Sequence, residues 1–413
     1  MDLVDGGGES LMRVAFLSPC WPPDHFPNGI ASYVASVRRG LIAKGVESYV
    51  VASELGDADH DPGVSRVEPG GGDRSLRVRL IQRAAGTASR YLGMQQDLGF
   101  RAARAFDALD REHTLDLVEV EETFGIGAVI RREIRTPLVV RLHGPWCVVG
   151  PNLGHAKDKE FWVRCAAEYH AIRRATAISS PSLDALNQVR AQYRMDLPDA
   201  QVIPNPVAIP SAEARFSSAK ADLNTILFVG RFDRVKGADT LLQAFARVAK
   251  QRRNIRLLFI GPDSRLIEGN REVGFEEYLR DQVPSDVHSR IEFRGARGVE
   301  EIAEERQRAA ITIVSSRYEN FSVAVLEAMA AGSPLIVSRV GGLREIVKDG
   351  ETGLFFEAED AVDLAAKIER LLADRELAAR LGEAAHLDVA SRFSESVVAS
   401  QTHAFYEGVL SRG

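Results

Sequence analysis

The chain has 413 residues, more than one hydrophobic core ordinarily serves, and at roughly 150 residues per domain two domains is the simplest count. Apolar residues at 45% and charged residues at 27% are the balance of an ordinary globular protein and exclude a largely disordered one. The formal net charge of -6 argues against nucleic-acid binding by the chain as a whole, and no apolar run approaches the roughly 20 residues of a membrane-spanning helix.

In chain order, the opening MDLVDGGGES is acidic and glycine-rich, without the basic-then-apolar order of a signal peptide, so a cytoplasmic protein is expected. From Arg13 an apolar run, VAFLS, enters the Pro/Gly-rich PCWPPDHFPNG, and a helical pattern follows from Ile30 to Lys44. The strand-like SYVVAS comes next, then DLVEV at 116–120, PLVVRL at 137–142, ATAIS at 175–179 and QVIP at 201–204. Short β-rich runs alternating with helical ones predict a parallel sheet covered on both faces. Residues 74–93 carry Arg74, Arg77, Arg79, Arg83 and Arg90 without an acid. They read as a solvated face, or as a basic amphipathic segment making peripheral contact with anionic lipid at the inner membrane face. Cys20, Cys147 and Cys165 match neither a disulfide framework nor a metal knuckle, which fits reduced thiols.

The stretch from Pro204 to about Asn224, rich in Pro, Ala and Ser, reads as the linker. Beyond it TILFVG (225–230), RLLFIG (256–261), RIEFRG (290–295), ITIVSS (311–316) and PLIVSR (334–339) repeat the pattern. The fold expected is α/β, two Rossmann-like βαβ domains facing across a cleft. Residues 1–208 are expected to form the first domain and residues 209–391 the second. A closing helix at about 392–413 is expected to return to the first. Ligands of open parallel sheets bind beyond the carboxyl ends of strands, so the loops after strands carry the chemistry.

After TILFVG, Arg231 and Lys236 sit between a strand end and a helix start, where two cations and open helix amides can hold a diphosphate; taken alone they read equally as solvated loop charges. After ITIVSS, Glu319 lies in the loop and Glu327 two turns into the following helix. An anion at the amides near Ser322 and Val323 then has a carboxylate on either side to accept hydroxyl hydrogen bonds. A nucleotide sugar has that layout, although Glu319 also reads as a capping acid and Glu327 as a surface residue.

The run RYENFSVAVLEAMAAGSPLIVSRVGGLREIVKDGETGLF resembles the donor-binding block of the retaining GT-B glycosyltransferases of family 4, the glycosyl transferases group 1. Its E-x7-E pair, Gly332, Pro334, Gly341, Gly342, Glu345 and Gly353 match, as do GRFDRVKG from Gly230, PNPV around Asn205 and LHG around His143. The resemblance implies a hexosyltransferase in which Arg231 and Lys236 bind the diphosphate and assist its departure, and Glu327 accepts from the ribose. It implies that Glu319 with the loop of Asn320, Phe321 and Ser322 holds the sugar, with His143 beside it. The family commonly has two adjacent glycines where this chain has Asn28 and Gly29, so Gly29 keeps half of the expected close approach to phosphate.

The resemblance also implies retention by attack on the face from which the nucleotide leaves, so no protein nucleophile is required. Across 209–391 no DxD-like pair stands in a strand-end loop and no His/Cys cluster has metal spacing, and the expectation is no cofactor and no metal. The donor base and sugar do not follow from these residues, UDP being the nucleotide expected first. The acceptor is a small molecule, a glycan or a lipid-linked hydroxyl, read by the first domain, and no nucleic acid is expected. Fold alone leaves a GT-B sugar phosphorylase or a nucleotide-sugar epimerase as the alternative, and a non-catalytic carbohydrate-binding protein behind them.

Overall fold

The computed structural model describes residues 11–26, 28–56, 61–68, 76–219, 221–268 and 271–412. The opening MDLVDGGGES, Arg74 and Pro27 lie outside them, as does the side chain of Arg77. The chain forms two compact units, one from Met1–Arg141, Ala167–Ile178 and Ala399–Gly413, the other from Leu142–Ala166 and Ser179–Val398.

The first sheet has seven strands: β1 (Arg13–Trp21), β2 (Glu47–Leu55), β3 (Val64–Arg66), β4 (Leu117–Glu121), β5 (Leu138–Arg141), β6 (Ala177–Ser180) and β7 (Gln201–Val202). Their order is β3-β2-β1-β4-β5-β6-β7, and β1 pairs in parallel with both β2 and β4. Helix α1 (Gly29–Ile42) leaves the end of β1, where the strand order reverses. α2 (Leu76–Ala88), α3 (Arg90–His113), α4 (Gly127–Glu133), α5 (Trp146–Asn152), α6 (Lys159–Arg174) and α7 (Leu183–Tyr193) follow in the chain.

The described part of the basic stretch, 76–93, is therefore divided between two helices. Ser89 breaks it by taking the N-cap of α3, its hydroxyl accepting from Leu92 N at 3.3 Å. The first unit also buries charge: Glu119, 3% exposed, accepts from Tyr33 Oη at 2.8 Å and from Tyr406 Oη at 2.9 Å. Burial raises the Glu119 carboxyl above its ordinary range, against the pull of Arg141 and the two hydroxyls. Arg141 in turn lies 4.0 Å over the Tyr33 ring. Tyr406 belongs to the closing helix, whose residues from Ala399 onward are part of this unit.

The second sheet has six strands: β8 (Asp222–Val229), β9 (Arg256–Ile260), then beyond a small hairpin β12 (Ile291–Phe293), β13 (Ala309–Val314), β14 (Leu335–Ser338) and β15 (Leu354–Phe356). The hairpin is β10 (Leu266–Glu268) paired antiparallel with β11 (Arg271–Val273). In the order β12-β9-β8-β13-β14-β15, β8 is flanked by β9 and β13, so the loops after β8 and after β13 stand side by side at the reversal. Every residue of β13 is buried, as a strand covered on both faces requires. The helices are α8 (Ala238–Gln251), α9 (Phe275–Gln282), α10 (Val299–Arg308), α11 (Val323–Ala330), α12 (Leu343–Ile346), α13 (Ala361–Ala373), α14 (Arg375–Phe393) and α15 (Glu395–Leu410). Among the described residues no helix is long and apolar enough to cross a membrane.

Candidate functional site

The loop after β8 turns around Asp233. This carboxylate is 4% exposed. Its Oδ2 accepts from Arg231 Nε at 2.7 Å and lies 2.6 Å from Arg231 Nη2, and its Oδ1 accepts from the Lys236 amide at 2.8 Å. An Asp accepting from the amide three residues on is a local side-chain turn, and it sets the backbone that carries Lys236. Gly237 closes the loop at φ +60°, and a Cβ there would stand 2.0 Å from the Ser315 carbonyl, so only glycine fits.

Of three consecutive residues after β13, Ser315 and Arg317 join the two loops and Ser316 holds Glu319. Ser315 Oγ donates to the Lys236 carbonyl at 3.0 Å, and Ser316 Oγ donates to Glu319 Oε1 at 2.8 Å. Arg317 donates to both oxygens of Asp239 at 2.8 and 2.7 Å and to the Arg234 carbonyl at 2.7 Å. Burial opposes the Arg317 charge, but the hydrogen bonds and charges of Asp239 and Glu359 outweigh it and raise the guanidinium pKa. Lys236 Nζ then reaches Glu319 Oε1 at 2.5 Å, with side-chain exposures of 24% and 12%. Arg231 and Lys236 thus each face a carboxylate supplied by the protein.

The Glu319 loop is fixed from behind. Gly342 N donates to the Glu319 carbonyl at 2.9 Å, and a Cβ on Gly342 would meet the Asn320 carbonyl at 1.8 Å, which accounts for the glycine pair after β14. Asn205 Nδ2 donates to the Phe321 carbonyl at 3.1 Å. The Asn320 side chain is engaged at both ends, accepting from Tyr318 Oη and donating to the His143 carbonyl. Tyr318 itself lies in an apolar cluster with Cys147, Val148, Phe161 and Cys165. The Phe321 ring points into the core, edge-on to Phe393 at 5.4 Å. Asn320 and Phe321 therefore leave mainly backbone for any ligand.

Helix α11 starts at Val323 from an N-cap Ser322 whose side chain makes no capping bond. About one turn on, Glu327 Oε2 lies 2.6 Å from Nη2 of Arg306, a guanidinium with 6% side-chain exposure against 37% for the carboxylate. The second unit thus assembles His143, Arg231, Lys236, Glu319, Asn320, Phe321, Ser322, Val323 and Glu327, whereas Gly29 belongs to the first. Asn28 before it is extended, at φ -137°, and its Oδ1 accepts from Ile30 N at 2.8 Å and from Ala31 N at 3.4 Å. It acts as a helix cap and not as a substitute for a left-handed glycine.

Asp233, Ser316, Arg317 and Arg306 were not singled out from sequence. The Asp-x-x-Lys spacing could have revealed the first, but nothing local marks Arg306. Glu345 has a structural task, its two oxygens accepting from Leu183 N and Asp184 N at 2.9 and 2.8 Å. Among the described residues no group of three or more His, Cys, Asp or Glu side chains is placed to hold a metal ion.

The chain is similar to known proteins in sequence and in fold. Residues 27–209 match the family described as Glycosyltransferase Family 4, and residues 211–388 match Glycosyl transferases group 1. A D-inositol 3-phosphate glycosyltransferase of Nocardiopsis dassonvillei is 31% identical over 63% of this chain, the match spanning 62% of that relative's own length. One from Corynebacterium efficiens is 28% identical over 96% of this chain and 95% of its own. Among solved structures, Anabaena HepE in complex with UDP and glucose superposes with a TM-score of 0.69 at 18% identity, covering 96% of this chain and 100% of that one. The fold is GT-B, two parallel-sheet α/β domains. The chain belongs to the family 4, group 1 glycosyltransferases.

Proposed function

We propose that this chain is a hexosyltransferase that moves a sugar from a UDP-sugar to a hydroxyl acceptor, with retention and without a metal ion. The observation that carries the reading is the linked series Asp233, Arg231, Lys236 and Glu319 beside the uncapped start of α11. Arg231, Lys236 and the first amides of α11 receive the diphosphate and stabilise charge on the departing oxygen by groups already in position. Glu327, oriented by Arg306, accepts from the ribose hydroxyls. Glu319 accepts from the sugar. Its Oε1 is held by Lys236 and Ser316, which suits a fixed acceptor better than a nucleophile that must release its oxygen to react.

UDP is favoured because HepE was solved with UDP and glucose. The acceptor hydroxyl attacks from the side the nucleotide leaves, and its proton passes to the departing phosphate oxygen. Two loop cations neutralise the diphosphate, the work a divalent ion would do elsewhere. The relatives' name makes D-inositol 3-phosphate the first acceptor to try, ahead of glycans and lipid-linked alcohols.

The test is a thermal-shift screen of UDP, GDP and ADP sugars, followed by turnover with the stabilising donor and NMR of the product's anomeric proton. Stabilisation by a UDP-sugar, an unchanged anomeric configuration and full activity in EDTA are expected. Stabilisation by no nucleotide sugar sinks the donor reading, an inverted product sinks retention, and loss of activity in EDTA restored by Mn²⁺ sinks metal independence. Peripheral membrane contact is a separate reading, supported by exposed Arg79, Arg83 and Arg90 around Leu80, which is 58% exposed. Failure to co-sediment with anionic vesicles at low salt removes it.

A further inference from the structure

Between the two loop cations lies a carboxylate that makes no direct contact with substrate in the reaction scheme. Asp233 is 4% exposed, and ionised carboxylates at that depth are costly unless their oxygens are paired. Both are: Oδ2 takes Nε of Arg231 at 2.7 Å and Nη2 at 2.6 Å, and Oδ1 takes the Lys236 amide at 2.8 Å. One edge of the guanidinium is thereby committed to Asp233. The side chain still keeps 48% exposure, so its remaining donors are aimed in one direction. The other oxygen fixes the turn from which Lys236 reaches Glu319 at 2.5 Å. A single buried side chain therefore sets the direction of one cation and the backbone position of the other.

We propose that Asp233 is a positioning residue that holds Arg231 and Lys236 at the separation needed to span the two phosphates of a nucleoside diphosphate. The proposal rests on the donor reading above. It assigns to Asp233 discrimination between ligands with a diphosphate and ligands without one. The nucleoside end of the donor lies toward Glu327 and is not its concern. The same carboxylate offsets one positive charge in the loop, which limits repulsion between the cations without removing their donors.

The experiment compares wild type, Asp233→Asn and Asp233→Ala by calorimetric titration with UDP, UMP and uridine, by donor kinetics, and by thermal melting. Asn keeps an oxygen for the Lys236 amide but loses the ionic partner of Arg231, and Ala loses both. Losing charged hydrogen bonds of this kind predicts UDP affinity lower by about tenfold in D233N and about a hundredfold in D233A. Uridine affinity stays within about twofold, and donor KM rises more than kcat falls in D233N. Unchanged UDP affinity in both variants overturns the proposal. So does a parallel loss of UDP and uridine affinity that follows a falling melting temperature, the signature of a merely structural residue. If wild type binds none of UDP, GDP and ADP, the donor reading itself fails and takes the proposal with it, an outcome distinct from the first two.

Discussion

Helices α1 and α11 each begin after the loop that follows a parallel strand, and they treat their first amides in opposite ways. At the start of α1, Asn28 folds its side-chain oxygen back onto Ile30 N and Ala31 N, so the protein satisfies those donors itself. At the start of α11, Ser322 makes no such bond, and the neighbouring loops bring Lys236 and Glu319 together. A capped start favours stability, and an uncapped start beside fixed cations favours an anion from outside. Under the function proposed above, the difference assigns the weight of anion recognition to the second unit.

The largest expected effect comes from removing a cation beside α11. Lys236→Ala should lower kcat by about 10²–10³-fold, as loss of one preorganised charge-stabilising group does. A loss below tenfold in steady-state turnover would make the α11 start a structural feature like that of α1. Converting one helix start into the other comes next. Ser322→Asp supplies α11 with a capping carboxylate, and donor affinity should fall about tenfold while stability rises by about 1 kcal/mol. Calorimetry and denaturant melts read the two changes, and tighter donor binding would contradict the assignment.

Smaller effects test α1. Asn28→Ala should cost about 1 kcal/mol of stability with donor affinity unchanged, whereas Ser322→Ala should leave stability almost unaltered because no cap is lost. Urea melts of the two variants side by side are decisive, and equal losses would erase the contrast. The smallest effect concerns the ion pair that holds the middle of α1. The Arg38 hydrogen bond, helped by the Gly63 amide, outweighs burial and lowers the Asp61 carboxyl from its ordinary 3.8. A lowered folded value means the stabilisation is present above 3.8 and is lost as pH falls through the folded value. Asp61→Asn should therefore cost under about 1 kcal/mol at pH 7, the pair being partly exposed, and the gap should narrow steadily as pH falls below 3.8. A gap that persists at the acid end would assign the loss to the Gly63 turn and not to charge.

Most strands were legible because a strand covered on both faces is a continuous apolar run. ITIVSS and LLFI announce β13 and β9 in that way. β3, β15 and the β10–β11 hairpin were not, since they are three residues each and lack the apolar flanks that extend the runs around β7 and β12. The basic stretch was read as one segment because composition does not show where Ser89 turns from neighbour to cap.

Of the site, the sequence by itself determined the chemistry on offer: two cations before α8, two glutamates eight residues apart, and glycines where backbone crowds backbone. These are local facts, set by side-chain type, helix periodicity and steric limits within a few residues. Only the tertiary structure decided the pairings. Lys236 meets Glu319, Arg317 meets Asp239, Arg306 stands behind Glu327 and Glu345 caps α7, each across a distance in the chain that no periodicity encodes. The physical reason is that such charge pairs form wherever the strand order sets two loops side by side, and the reversal at β8 did so for the loops after β8 and β13.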